Sequence, residues 1–180
     1  MSAPPHPLPV PDPPLRDGAL LLRPWAPADA PVLAAAWADP EIARWTGVPP
    51  RRDQAAAARW IAGDADRRAR GLSLDLVVVE EGAVVGEVGL ADFQCPARRA
   101  QIGWWTAESH RRRGIASRAA TLVAEWAVTE LDLEVLEARC QADNPASGAV
   151  ARTAGFRLAD TDGGLERWIF EPAGGATLRT

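Results

Sequence analysis

The sequence predicts a single-domain mixed α/β fold in which helices flank one sheet. The chain has 180 residues, of which 47% are hydrophobic and 24% charged, as is typical of one soluble globular domain. Short segments rich in β-branched residues, of which Leu74–Val79 is the clearest, indicate strands. Between Ile115 and Trp126 apolar residues recur every three or four positions, which is typical of a helix that packs on a sheet.

Composition excludes several classes of protein. A net charge of −4 leaves no overall basic face, so we expect no nucleic-acid partner. Cys95 and Cys140 form no C-x-x-C motif, and His6 and His110 are too few for a metal site, so no metal is expected. The chain has no lysine, which excludes a Walker A loop. It has neither an apolar membrane span nor a signal peptide, and we expect a cytoplasmic protein without membrane contact.

We expect the folded domain to cover residues 18–172, with tails on both sides. The segment from Met1 to Pro14 has seven prolines, which cannot sustain a helix or a central strand. Residues 1–17 are therefore predicted to be a flexible tail, and residues 173–180 are predicted to be a C-terminal tail.

The first half of the domain is predicted to be a strand followed by helices. The strand is Ala19–Leu22, and the segment Pro27–Ala38 has a proline in its first turn, where a helix tolerates it. Asp39-Pro40 begins a short helix, and Asp53 is a good N-cap for a helix that reaches about residue 70. Trp45 and Trp60 also lie in this region. Each could line a ligand cleft or pack in the core, and the sequence leaves both interpretations open.

A hairpin and a further strand follow. Leu72–Glu80 and Ala83–Asp92 are joined by the turn at Glu81-Gly82, and Arg98–Thr106 is the next strand. Gly86 and Gly89 weaken the second of these strands, so they indicate a bulge or the close approach of another group.

The last third of the chain begins with a helix at about Gly114. Leu133–Cys140 is the next strand, and Asn144-Pro145 opens a helix that Asn144 caps. A final hairpin joins Arg157–Leu158 to Leu165–Phe170 through Asp162-Gly163-Gly164.

The junction between the strand ending at Thr106 and the helix starting at Gly114 predicts a pyrophosphate site. The first N–H groups of a helix lack partners within it and carry the positive end of the helix dipole. Arg111, Arg112 and Arg113 add three charges there, and Gly114 leaves the backbone accessible. The alternative is that the arginines are only a solvated charge run.

Four motifs in order give the chain a family resemblance. The junction Arg111-x-x-Gly114-x-Ala116 matches an R/Q-x-x-G-x-G/A signature, and Ile102–Trp105 before it matches an I-G-[YW]-W strand. After the junction, Asn144–Ser147 matches an N-x-x-S element and Gly155-Phe156 a G-F element. In these residues the chain resembles the GNAT acyltransferases, and in particular their RimJ/RimL-like branch.

The resemblance implies a GNAT-like α/β (α+β) fold with a mixed, mostly antiparallel central sheet. It also implies acetyl-CoA as the acyl donor, and an N-acetyltransferase acting on a primary amine, either a protein N-terminal α-amine or a small molecule. A homodimer is compatible with the resemblance. The competing hypothesis is a catalytically idle module that binds acyl-CoA.

The resemblance places CoA along the strand and the junction. In the family the strand corresponding to Ile102–Thr106 splays from its neighbour and pairs with the pantetheine amides. The implied CoA-binding residues are Trp104, Trp105, Thr106, Arg111, Arg112, Arg113, Gly114, Ile115, Ala116, Ser117 and Asn144.

The catalytic residues are less clear from the sequence. Ser147 matches a serine that in the RimJ/RimL-like branch assists the departing thiolate, and a tyrosine acid is impossible because the chain has no tyrosine. Gln101 stands where many relatives have a glutamate base. Glu87, Asp92 and Glu166 remain as candidate bases, and we put Glu87 forward as catalytic.

Overall fold

The protein is described here by a computed structural model that covers residues 7–95 and 97–170. The predicted C-terminal tail and the predicted end of the domain at residue 172 lie outside these residues. The strands are β1 (Arg16–Asp17), β2 (Leu20–Pro24), β3 (Ser73–Glu80), β4 (Ala83–Gln94), β5 (Arg99–Thr106), β6 (Val135–Gln141), β7 (Phe156–Asp162) and β8 (Leu165–Phe170). The α-helices are α1 (Ala30–Ala38), α2 (Pro40–Trp45), α3 (Gln54–Ala62), α4 (Asp64–Ala69), α5 (Ile115–Glu130) and α6 (Pro145–Thr153).

The strands form one eight-stranded sheet in the order β1-β2-β3-β4-β5-β6-β8-β7. All neighbours are antiparallel except β5 and β6, which are parallel and are connected through α5. The predicted mixed, mostly antiparallel sheet with flanking helices is confirmed.

The single parallel pair opens partway along its length. Strands β5 and β6 are paired from Arg99↔Val135 to Ile102↔Ala138. Beyond these residues β5 continues to Thr106 and β6 to Gln141, without a further pair between them. The backbone of each strand therefore faces an opening, which we call the β5–β6 cleft.

The sheet separates two apolar cores because side chains of a strand alternate between its faces. On β3, Leu74 and Leu76 enter the larger core beneath α5, and Val77 enters a second core beneath α1 and α3. On β5, Ile102 enters the first core and Trp105 the second.

The tryptophans of the second core confirm part of the sequence interpretation. Trp60 lies edge-on to both Trp25 and Trp37, with ring centroids 6.2 Å apart in each pair. Of the two interpretations, Trp60 therefore packs in the core. Trp45 is half-buried, and its indole N–H donates to Glu41 at 3.1 Å.

The prediction of a flexible tail is wrong from Leu8 onward. Leu8 is completely buried in the larger core, and its N–H donates to the carbonyl of Arg68 at 3.0 Å. A proline-rich segment cannot join a ladder, but an extended segment can still bury an apolar side chain, which favours the ordered state. Strand β1 also pairs with β2, so the folded unit begins before residue 18.

Two other predictions are refined by the structure. The helix expected from Asp53 to about residue 70 is two helices, α3 and α4, which meet at Gly63. The bulge indicated by Gly86 is present, because the β3–β4 register shifts between Val78 and Val79 opposite Gly86. A Cβ on Gly86 would lie 2.5 Å from the carbonyl oxygen of Trp105, so the close approach also requires glycine.

Candidate functional site

The N-terminus of α5 is open. Gly114 is its N-cap with φ of 73°, and no side chain caps it, whereas Asp39, Asp53 and Asn144 cap α2, α3 and α6. The Ser117 hydroxyl donates to the Gly114 carbonyl at 3.0 Å, so it satisfies none of the N–H groups. A 16-residue helix thus presents its first-turn N–H groups and the positive end of its dipole to the β5–β6 cleft side of the sheet.

The three arginines before α5 have three different environments. Arg111 donates through Nε to the Thr106 carbonyl at 3.0 Å and through Nη2 to Asp39 Oδ2 at 2.5 Å, so it fastens the loop to β5 and α2. Arg113 pairs with Glu80 at 2.8 Å. Arg112 is exposed, has φ of 61°, and forms no ion pair among the described residues. Of the three, Arg112 is therefore the most available to an anionic ligand.

The β5 side of the cleft offers backbone more than side chains. Trp104 packs on Phe156 at 6.3 Å and Trp105 stacks on Trp25 at 6.4 Å, so both rings belong to the cores. A Cβ on Gly103 would meet no atom within 4 Å, which shows open space over this residue. The Thr106 hydroxyl oxygen is buried and has no hydrogen-bond partner in the described part of the chain. Such a group is costly unless a ligand or water satisfies it.

The first turn of α5 contributes only backbone to this surface. The side chains of Ile115 and Ser117 are buried, and Ala116 has no polar group. If these residues bind an anion as predicted, they do so through their N–H groups.

The β6 side of the cleft carries the predicted pair Asn144 and Ser147. Asn144 Oδ1 accepts the Ser147 N–H at 3.1 Å, which confirms its predicted role as helix cap. The Ser147 hydroxyl lies near the thiol of Cys140, which is two residues beyond the last β5–β6 pair. Burial raises the pKa of this thiol, and the nearby Ser147 hydroxyl opposes that shift. Sequence reasoning gave Cys140 no role, since a lone cysteine carries no motif.

Glu87 lies on the opposite face of the sheet from Ser147 and is held by two indoles. Its Oε2 accepts Trp25 Nε1 at 2.6 Å and its Oε1 accepts Trp105 Nε1 at 3.1 Å. Burial, followed by the negative charge of Asp75, raises the pKa of Glu87 to about 8, although the two indole bonds oppose the shift. A carboxyl group with this pKa is mostly protonated at neutral pH and becomes able to accept a proton from an amine as the pH rises toward about 8.

Asp75 is a second acidic residue of this face that sequence reasoning missed. A Cβ on Gly89 would lie 2.8 Å from Asp75 Oδ1, so the glycine makes room for the carboxylate to lean from β3 over β4. Arg67 approaches Asp75 to 3.6 Å and the Ser73 hydroxyl donates to it at 2.8 Å. Burial raises the pKa of Asp75 despite these partners. The unexplained glycine in a strand was the sequence signal for this contact.

The remaining candidate bases are separated by the sheet. Gln101 donates to Asp92 Oδ2 at 2.5 Å, so an exposed carboxylate accompanies the position where relatives have glutamate. Glu166 accepts Trp168 Nε1 at 2.9 Å and lies 3.2 Å from a Cβ on Gly148, beside α6. Asp92 therefore lies beside the Gln101 position, Glu87 lies four residues further along the sheet opposite Trp105, and Glu166 lies on the Ser147 side.

Metal-ligating side chains are dispersed over the described molecule. Among residues 7–95 and 97–170, three or more His, Cys, Asp or Glu side chains are nowhere grouped so that they could hold a metal ion. Within the same part of the chain, the helices are too short or too polar to cross a membrane.

The fold and the site together define a mixed α/β protein in which two neighbouring strands separate beside an uncapped helix N-terminus. A family model described as an acetyltransferase (GNAT) domain matches residues 19–157. The chain is 27% identical over 140 residues to an uncharacterised N-acetyltransferase, p20, of Bacillus licheniformis, covering 77% of this chain and 79% of that protein. The chain therefore belongs to the GNAT acetyltransferase family.

Solved structures show the same fold. Mycobacterium smegmatis RimJ in complex with CoA-disulfide has a TM-score of 0.72 and 22% identity, over 83% of this chain and 79% of that one. RimL, a ribosomal L7/L12 α-N-protein acetyltransferase in complex with coenzyme A, has a TM-score of 0.74 and 20% identity, over 85% of this chain and 94% of that one. RimJ and RimL are thus structural neighbours of this protein.

Proposed function

We propose that this protein transfers the acetyl group of acetyl-CoA to a primary amine, an α-amine of a peptide or protein or the amine of a small molecule. The observation that carries the proposal is the β5–β6 cleft, which has an uncapped helix N-terminus at one end and candidate reactive side chains on each face of the sheet, Glu87 on one and Ser147 on the other. The neighbours solved with CoA support the donor, and the likeness to RimL, an α-N-protein acetyltransferase, supports an α-amine.

The donor's diphosphate is assigned to the start of α5. The N–H groups from Arg112 to Ser117 and the Arg112 side chain supply donors and charge, and Arg111 holds the loop in place through Thr106 and Asp39. The exposed backbone of Gly103–Thr106 supplies amide and carbonyl groups to a ligand that extends along β5.

The acceptor amine is assigned to the face with Glu87. An α-amine has an unperturbed pKa of about 7.7–8.0, close to the pKa of about 8 of Glu87, so proton transfer between the two costs little. Ser147, on the opposite wall, donates a hydrogen bond to the departing sulfur. A serine hydroxyl is a poor acid, so we assign it stabilisation of developing charge rather than full proton transfer.

The test is to incubate the protein with acetyl-CoA and a panel of peptides and small amines while following free thiol. Acceptor-dependent thiol release, with acetylated product identified by mass, supports the proposal. Thermal stabilisation by CoA without turnover on any amine would favour the alternative, an idle acyl-CoA-binding module.

A further inference from the structure

Four charged side chains outside the assigned site meet on one face of the sheet. The buried carboxylate of Glu137 on β6 accepts Arg99 Nη2 at 3.1 Å, Arg139 Nε at 2.5 Å and Arg167 Nη1 at 3.5 Å. These arginines come from β5, β6 and β8, and we call the four residues the arginine cluster. Its carboxylate is only 4% exposed, whereas the side chains of Arg99 and Arg139 are 36% and 46% exposed.

The three arginines of the arginine cluster pair with two carboxylates, Glu137 and Asp160, so one positive charge is left without an ion-pair partner among them. Asp160 pairs with Arg167, which leaves Glu137 as the single anion shared by Arg99 and Arg139. Arg139 uses only Nε and Arg99 only Nη2, so both keep guanidinium N–H groups without an acceptor among the described residues. Such donors in a fixed fork bind carboxylate or phosphate well.

The free donors border a cavity of about 50 Å³, lined by Arg99, Arg139, Glu137, Asp92, Gln94, Gln101 and Ala100. This volume exceeds the roughly 10–15 Å³ that one water needs. On the β4 side of the cavity, Gln101 and Gln94 donate to the carboxylate of Asp92 at 2.5 and 3.4 Å. The arginines line the cavity from β5 and β6, and Asp92 lines it from β4, so the acidic and basic side chains come from different strands.

The cavity is on the same face as the predicted acceptor position. Residues 99, 101, 103 and 105 of β5 share one face of the sheet, and on that face Trp105 donates a hydrogen bond to Glu87. Glu137 is in register with Gln101, and Arg139 with Arg167, so the cluster continues this face across the sheet. Gln101 is two residues from Gly103, or about 7 Å at roughly 3.3 Å per residue. Gly103 lies just beyond the last β5–β6 pair and has open space over its face of the sheet.

We propose that the arginine cluster binds an anionic group of the acceptor, about 7–10 Å from an amine that lies over Gly103. In an extended peptide this distance, at about 3.3 Å per residue, reaches the side chain of the second or third residue. A small acceptor would supply the same chemistry as an amine and a carboxylate separated by a short chain. This inference rests on the proposed function, because it takes the amine to lie over Gly103, on the face of the sheet that carries Glu87.

The experiment compares acceptors that differ only in charge, at saturating acetyl-CoA. One peptide has Asp and Glu at positions two and three, and its partner has Asn and Gln there; 6-aminohexanoate and its amide form the small-molecule arm. We expect kcat/KM to favour the anionic member about tenfold, mainly through KM, as for one charge-assisted contact. Preference in the peptide arm alone, or in the small-molecule arm alone, identifies the source of the anion.

Variants assign the preference to the cluster. Arg99→Gln and Arg139→Gln should each reduce the anionic preference severalfold, and Arg139→Lys, which keeps the charge, should retain part of it. Arg70→Gln is the matched control, since Arg70 is an exposed arginine paired with Asp66 on α4. Thermal unfolding of every variant checks that the protein stays folded when buried Glu137 loses an arginine partner. Equal kcat/KM for charged and neutral acceptors in the native protein would overturn the inference, as would an equal loss of preference in the control.

Binding separates this inference from the proposed function. Calorimetry with the N-acetylated forms of the two peptides, in the presence of CoA, compares their affinities without turnover. Tighter binding of the anionic peptide that Arg139→Gln abolishes, in a protein without turnover, would support the cluster and contradict the transferase. Equal affinities would overturn the cluster even if turnover is present.

Discussion

Replacing Glu87 with glutamine tests the central residue through protein stability as well as through activity. Glutamine has the same shape and keeps an oxygen for one indole N–H, but it cannot ionise. In the native protein Glu87 has a pKa of about 8 against an ordinary value of 4.5. The folded state thus holds a proton that the unfolded state releases at much lower pH.

The sign of the pH effect follows from that difference. The stabilisation from protonated Glu87 is complete below about pH 4.5 and is lost as the pH rises through the window from about 4.5 to about 8. A shift of about 3.5 pKa units corresponds to at most about 5 kcal/mol, and relaxation of the buried site reduces this to a few kcal/mol. Because Glu87→Gln cannot ionise, its free energy of unfolding does not fall in this way. The difference in free energy of unfolding between the variant and the native protein should therefore shift in favour of the variant as the pH rises across this window.

Urea unfolding followed by tryptophan fluorescence between pH 5 and 9 measures the effect, because Trp25 and Trp105 contact the carboxyl directly. The same variant should lose kcat by about 10²- to 10⁴-fold as expected for removal of a general base. An identical pH dependence of stability in the two proteins would refute the raised pKa. A kcat within about threefold of the native value would refute the assignment of Glu87 as the base.

Three other predictions concern single residues. Gly114→Val should weaken CoA binding at least about tenfold by calorimetry, because a β-branched residue is strained at a φ of 73°. Gly47→Val is the control and should bind CoA normally, because Gly47 lies in open space and has no positive φ. Unchanged CoA affinity of Gly114→Val would count against the α5 site. Ser147→Ala should lower kcat about tenfold with little change in the Kd for CoA, and equal turnover would remove Ser147 from the mechanism. Asp75→Asn removes a negative charge that helps to raise the pKa of Glu87, so the alkaline midpoint of the pH–stability profile should move down; an unmoved midpoint would show that burial alone sets this pKa.

Local features of the fold could be predicted because their causes are local. Asn144 caps α6 through a group three residues away, and Gly114 opens α5 where a left-handed residue is required, so short patterns were enough for both. The strands on either side of Glu81-Gly82 were likewise predicted from β-branched residues and the turn residues between them. The motif from Arg111 to Ala116 located the open helix start, but it did not distinguish Arg111, which fastens the loop, from exposed Arg112.

The sequence by itself therefore determined most of the strands and helices, several of their caps and the junction before α5, since these depend on contacts within a few residues. Tertiary structure decided which distant residues meet. Asp75 reaches Gly89, Trp25 reaches Glu87 and Leu8 reaches the core because of strand order and register, which pattern and propensity do not encode. Electrostatics depends on those meetings: a carboxyl acquires a pKa of about 8 only when folding buries it and brings another charge beside it.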